Sequence, residues 1–273
     1  VDSQLDYEFT SHTFLVNNAD LLTDHRFECG PYRIFGGPND FGQNTFISKT
    51  YTNVVPHYRI RIRFSFLKID FWDSKTVFLY LNTNPEVLID SKTFTSNQDS
   101  SLNLICGTGN KPEALRQFDV FVDHFSSSIE LKITTNLDVA SSVASWGIYD
   151  YKLYVYRCHE TCLTCTGQLS TQCDTCYPDA TKNANNECIC NNHFYPVTVP
   201  ANTCTVPPCT VCTSCHSECN TCDGGLNTDC IDCSSPRFLL NKQCYLVCPA
   251  HFFGTGVQCN PCDASCNTCS GTA

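Results

Sequence analysis

Residues 158–176 read CHETCLTCTGQLSTQCDTC, and residues 215–233 read CHSECNTCDGGLNTDCIDC. Both space their cysteines as Cys-x3-Cys-x2-Cys-x7-Cys-x2-Cys, and CDASCNTC at residues 262–269 starts the series a third time. Gaps that match across two full copies mark a repeat. Of the 23 cysteines, only Cys29 and Cys106 lie before residue 158. A segment this rich in thiols and poor in apolar residues needs an oxidising compartment, where cross-links hold the shape that a core would otherwise hold. The chain therefore reads as extracellular.

The remaining composition narrows the class. A net charge of −10 and a pI near 5.1 argue against nucleic acid or anionic lipid as the main partner, since both need clustered basic residues. The chain opens on Val1, contains no Met, and shows neither an apolar leader nor a run of about 18 apolar residues. It reads as a processed mature chain with no membrane span in this segment. Asn is abundant but no Asn-x-Ser/Thr sequon occurs, so N-glycosylation is not expected.

Upstream of the repeats the pattern is strand-like. From His57 to Phe66, Tyr58, Ile60, Ile62, Phe64 and Phe66 alternate with His57, Arg59, Arg61, Arg63 and Ser65. A period of two sends these sets to opposite faces, which makes the arginines the wet face of a strand rather than a ligand-binding stripe. Ile129, Leu131 and Ile133 alternate in the same way, as do Val77, Leu79 and Leu81, and Phe118, Val120 and Val122. Near the end of this region Tyr149, Tyr151, Leu153 and Val155 are expected on one face, with Asp150, Lys152 and Tyr154 on the other. Turn chemistry separates the runs at residues 36–40, 82–85 and 107–112. About eight to ten such strands predict two antiparallel sheets packed face to face, a jelly-roll-like β-sandwich. Cys29 and Cys106 are the thiols available to each other there, and one disulfide is expected between them.

Two stretches invite comparison with a family: PHYRIRI at residues 56–62 running into KIDFWD at residues 68–73, and SWGIYDY at residues 145–151. Together they resemble a β-rich module of large ciliate surface proteins that commonly precedes furin-like repeats. That resemblance implies a cell-surface location and an architecture rather than an activity. The cysteine series itself resembles the furin-like, growth-factor-receptor cysteine-rich module over residues 158–273. Its pairing rule implies Cys158–Cys165, Cys162–Cys173 and Cys176–Cys188 in the first copy. In the second it implies Cys215–Cys222, Cys219–Cys230, Cys233–Cys244 and Cys248–Cys259, and in the third Cys262–Cys269. Cys266 is left over, with its partner expected beyond residue 273. The first copy departs from the rule, because Cys190, Cys204, Cys209 and Cys212 are four cysteines where two are expected, and their pairing stays open. The division expected is residues 1–10 as a lead-in, 11–157 as the sandwich, 158–214 and 215–261 as two repeats, and 262–273 as the start of a third.

Cys-x2-Cys is also zinc-ribbon spacing, but the repeat phase favours disulfides. His159-Glu160 looks like half of a zincin helix and lacks its second histidine. No nucleophile motif, P-loop or dinucleotide fingerprint is present, so no enzyme and no catalytic residue is expected. Asp70 and Asp73, flanking Phe71 and Trp72, are the best local candidates, with Asp40 and Asp150 as additions: rim carboxylates can gather around Ca²⁺, and a Trp can stack on a sugar. The plainer reading packs Trp72 and Trp146 in the core and uses the aspartates to hold turns. The function expected is structural or adhesive, with further copies of the chain as head-to-tail partners in a surface filament and the repeats as a spacer. The alternative is a receptor ectodomain or a lectin-like module that takes a glycan or Ca²⁺.

Overall fold

The alternating run at His57 extends into a 14-residue strand, His57–Asp70, at the heart of a six-stranded antiparallel sheet. The structure, a computed structural model, describes residues 4–8, 14–19, 24–94, 104–109, 111–199 and 209–271. Two units separate, Val1–Arg157 and Cys158–Ala273. The first, the head, contains β1 (Gln4–Glu8), β2 (Leu15–Asn17), β3 (Arg26–Cys29), β4 (Tyr32–Gly36), β5 (Phe46–Tyr51), β6 (His57–Asp70), β7 (Lys75–Thr83), β8 (Glu86–Phe94), β9 (Ala114–Asp123), β10 (Ile129–Thr135) and β11 (Ala144–Arg157). One sheet runs β3-β4-β11-β6-β9 with β1 added against β11; the other runs β2-β5-β10-β7-β8. This is an antiparallel β-sandwich, and the chain as a whole is mainly β.

The inward faces make the core. Ile60, Ile62, Phe64 and Phe66 of β6 are fully buried, as are Ile129, Leu131 and Ile133 of β10 and Val77 and Leu79 of β7. Each such side chain contributes about 1.5–3 kcal/mol by leaving water. Rings join the two layers: Phe66 of one sheet lies 5.6 Å from Phe94 of the other, and the Tyr151 and Tyr51 hydroxyls meet at 3.2 Å. Trp72 and Trp146 are both fully buried against Phe66.

Strict alternation fails at three places, each for a physical reason. Asp150 has φ +50° and the β11–β6 register shifts between Tyr149 and Lys152, a bulge that inserts a residue. Tyr149 therefore does not share a face with Tyr151: it turns outward against Tyr32, at 5.1 Å, while Tyr151 packs on Phe14 and Phe64. Beyond Ser65 the outer face of β6 is also dry. Leu67 and Ile69 are fully buried there with Cys29 and Ile34, packed by Ile105, Cys106 and Leu115, so β6 is covered on both faces at that end. Third, His57 is buried rather than wet, because its Nε2 meets His124 Nδ1 at 2.7 Å.

The second unit is a string of small sheets: β12 (Cys162–Cys165) with β13 (Cys173–Cys176), β14 (Ala180–Lys182) with β15 (Cys188–Cys190), β16 (Phe194–Val199) with β17 (Cys209–Ser214), β18 (Cys219–Cys222) with β19 (Cys230–Cys233), and a four-stranded sheet of β20 (Phe238–Leu240), β21 (Gln243–Tyr245), β22 (Phe252–Thr255) and β23 (Gln258–Pro261). Its bridges join Cys158–Cys165, Cys162–Cys173, Cys176–Cys188, Cys190–Cys212, Cys215–Cys222, Cys219–Cys230, Cys233–Cys244, Cys248–Cys259 and Cys262–Cys269. Cys190–Cys212 spans 22 residues where its counterpart Cys248–Cys259 spans 11. The first copy is thus an ordinary eight-cysteine unit whose last loop is lengthened, and Cys204 and Cys209 belong to that extra length; Cys204 lies outside the described residues.

Candidate functional site

Strand pairing builds a grid on the wet half of the outer sheet face. Residues directly opposite in an antiparallel pair point to the same side. The register therefore sets out three rows of three positions: Tyr156, Arg59 and Asp123; Tyr154, Arg61 and Phe121; Lys152, Arg63 and Asp119. Period two in β6, β9 and β11 puts all the head's arginine triplet here, on the side away from Ile60 and Ile62.

Most of the charges on this grid are matched within it. Arg61 donates two hydrogen bonds to Asp119, both 2.6 Å, and Arg59 reaches Asp123 at 2.8 Å. The Arg61 pair holds the Asp119 carboxyl below its ordinary value, chiefly by hydrogen bonding, and raises the guanidinium further. The same guanidinium lies over the Phe121 ring at 5.0 Å and the Tyr154 ring at 5.6 Å, so one cation is gripped by a carboxylate and two aromatic rings. Tyr156 lies 6.1 Å from Phe121. Phe121 remains 52% exposed, a large apolar ring in the middle of a charged field. Arg63 Nε is buried and meets no hydrogen-bond partner among the described residues. A flat, preorganised face of this kind can dock a partner surface or lie against a sugar ring.

The carboxylates singled out from sequence are scattered. Asp70, 3% exposed and at φ +61°, accepts hydrogen bonds from Thr108 N at 2.9 Å and Gly109 N at 2.7 Å. Glu113, fully buried, takes Ile105 N and Gly107 N, both at 2.9 Å. Two buried carboxylates thus hold the loop that carries Cys106, which is bridged to Cys29. Lys68 shares this pocket, fully buried, with Nζ donating to Pro112 O at 2.8 Å; burial pushes its pKa down while Glu113 and Asp70 oppose the shift. Gly107 and Gly109 fit because a Cβ there would stand 2.4 Å and 2.8 Å from Asp70 Oδ1. Asp40 instead meets the His25 ring at 3.0 Å, Asp150 meets Lys152 at 3.5 Å, and Asp73 is exposed. Trp72 Nε1 donates to Ser145 O at 3.0 Å from inside the core. Among the described residues no three His, Cys, Asp or Glu side chains gather as a metal site.

Sequence reasoning missed the buried histidine pair. His57 Nδ1 lies 2.6 Å from Val55 O. A carbonyl only accepts, so that nitrogen carries the hydrogen and Nε2 accepts from His124 Nδ1–H. Burial holds both rings below the ordinary histidine value, His124 down to about 4 with the help of its neighbour. The alternation of His57 with apolar residues gave no sign that it would be enclosed.

No family model matches the chain. A 61-residue stretch, 22% of the chain, is 34% identical to Furin-like protease 2 of Drosophila melanogaster, and the chain spans only 4% of that protein's length. This match and the bridge spacing fit furin-like cysteine-rich repeats. Among solved structures, the C-terminal CBM6 of LamC, a laminarinase from Zobellia galactanivorans, covers 56% of this chain and 99% of its own at 10% identity and TM-score 0.35. A family 35 carbohydrate-binding module from Clostridium thermocellum covers 56% and 97% at 9% identity and TM-score 0.33. No helix among the described residues is long and apolar enough to cross a membrane, and the bridge density belongs to an oxidising, extracytosolic setting.

Proposed function

We propose that this chain is a non-catalytic extracellular structural or adhesive protein whose head makes protein contacts through the outer sheet face, with the cysteine-rich unit as spacer. Location on a cell surface, as the ciliate resemblance implies, belongs to the same reading. The observation that carries it is the exposed Phe121 ring, braced by Arg61 among matched charges. Such a centre is apolar and braced, and its rim is polar, which is the anatomy of a protein contact. The partner proposed is a further copy of the chain in head-to-tail assembly, since two chemically different units on one chain favour a heterologous contact. The test is sedimentation velocity of the chain and of Phe121→Ala and Arg61→Ala. We expect concentration-dependent assembly in the parent and monomers in both variants, with melting temperatures nearly unchanged because exposed pairs stabilise by only about 0–1 kcal/mol. Variants that assemble as the parent does would overturn it.

A second reading, a lectin-like head, is favoured by the same face: two rings, Phe121 and Tyr156, lie beside paired guanidinium and carboxylate groups that could hydrogen-bond sugar hydroxyls. A monomeric parent that binds immobilised glycans, with binding abolished by Phe121→Ala, would establish it instead.

A further inference from the structure

Two turns in the cysteine-rich unit share a sequence and a set of bonds. Cys190-x2-His193-Phe194 and Cys248-x2-His251-Phe252 each close with the Phe N–H on the carbonyl three residues back, Phe194 N to Asn191 O and Phe252 N to Pro249 O, both 3.1 Å. Both histidines sit in the left-handed region, at φ +70° and +69°.

Each turn is fastened to the start of the next unit by the same three bonds. His193 N donates to Asn220 O at 2.7 Å, Cys215 N donates to His193 O at 2.8 Å, and His193 Nδ1 lies 3.0 Å from Cys219 O. For His251 the partners are Asn267 O at 2.8 Å, Cys262 N at 2.8 Å and Cys266 O at 3.0 Å. Counted from the first cysteine of the receiving unit, these are the same positions in both. Because a carbonyl only accepts, Nδ1 of each histidine must carry a hydrogen.

We infer that the opening Cys-x3-Cys-x of the repeats at Cys215 and Cys262 is a socket, and that the partner it fits is the Cys-x2-His-Phe turn of the repeat before, with the histidine as key. The covalent tether is the same at both joints, since Cys190–Cys212 and Cys248–Cys259 each end three residues before the receiving cysteine. The bonds to Cys219 O and Asn220 O, and to Cys266 O and Asn267 O, reach past that tether into the receiving unit. Neighbouring units are keyed rather than merely tethered.

The test uses the 273-residue chain. In the unmodified protein at pH 8, long-range ¹H–¹⁵N spectra should show the Nδ1–H tautomer at both His193 and His251; an Nε2–H tautomer at either overturns the inference without any variant. His193→Gly and His251→Gly keep the left-handed backbone and remove only the key. Each should speed amide exchange at Cys215 or Cys262, respectively, by roughly five- to tenfold, the worth of one net hydrogen bond. His→Asn tolerates the same φ and places an amide N–H near the Nδ1 position, so it should restore protection. Exchange unchanged in the glycine variants, or unrestored by asparagine, would show that the turn and not the histidine makes the joint.

Discussion

The two units solve the same problem with different materials. In the head, most of the large buried side chains are apolar and aromatic, among them Trp72, Trp146, Phe41, Phe64, Phe66, Phe94 and Phe118, with one disulfide at the side. In residues 158–271, every buried side chain among those described belongs to a cysteine. Phe194, Tyr195, Phe252 and Phe253 are present there but only half-buried. Around Cys219, Cys222, Cys230, Cys233 and Cys244 the sulfurs themselves are the core, with Tyr195, Cys215 and Leu239 packed on them. A unit of about 50 residues cannot bury enough apolar area to offset its chain entropy, so covalent closure of loops substitutes for area. Dehydrated surface makes the head stable. The second unit depends on a restricted unfolded state.

Reductant should separate the two most sharply. The nine bridges described in the cysteine-rich unit contribute about 2–4 kcal/mol each, far more in sum than a domain's net stability of about 5–15 kcal/mol. Under dithiothreitol, limited proteolysis should digest residues 158–273 and leave a head fragment that keeps its tryptophan fluorescence. A protease-resistant second unit after full reduction would erase the distinction. Removal of one aromatic ring should sort the units the other way. Phe66→Ala opens a cavity among Trp72, Phe94 and Trp146 and should cost about 3–5 kcal/mol. Phe252→Ala, at a half-buried position, should cost about 1 kcal/mol or less in oxidised protein. Equal losses in denaturant titrations would mean that the second unit has an apolar core after all.

Acid gives a smaller contrast. His57 and His124 are held below the ordinary value of 6.5, His124 to about 4, so the unfolded head takes up protons first. Stability is full above pH 6.5 and falls as the pH drops toward 4, by about 2 kcal/mol once partial hydration of the site is allowed for. The cysteine-rich unit has no buried histidine among its described residues and should lack this slope. Melting of the chain from pH 7.5 to 4, beside His124→Phe, would check it: the variant's curve should be flatter, and a parallel curve would exclude the pair.

The cysteine spacing and the runs at His57, Ile129 and Val77 made the architecture legible because both depend on local periodicity. What escaped depends on contacts made far along the chain. Leu67 and Ile69 are dry on the outer face only because the loop at Ile105 and Cys106 covers them, and no pattern within β6 announces that cover. Tyr149 changed face because one residue, Asp150, took a positive φ. The alternation of Arg59, Arg61 and Arg63 marks a wet face, but the pairing of that face with Asp119, Asp123 and Phe121 of β9 follows only from the register. Asp70 proved to be a loop clamp, in keeping with the plainer reading of its role. The open question in the first repeat closed on Cys190–Cys212, and the repeated Cys-x2-His-Phe, visible in the sequence, is the signal that would have aligned Cys190 with Cys248.

The path of β11 has a mechanical consequence. The strand runs through the middle of its sheet to Arg157, and the next residue, Cys158, is already bridged. Gln4 of β1 lies opposite Tyr156, so the first described residue and the exit from the sheet stand at one end of the same antiparallel pair. Tension applied between them opens that pair like a zip, one rung at a time and at low force. Tension applied between the Asp70 end of β6 and the exit at Arg157 instead loads the long β6–β11 ladder in shear, where its rungs resist together. Under load the head would therefore yield β1 first, as a fuse, while the bridged loops beyond Cys158 cap how far the rest of the chain can lengthen.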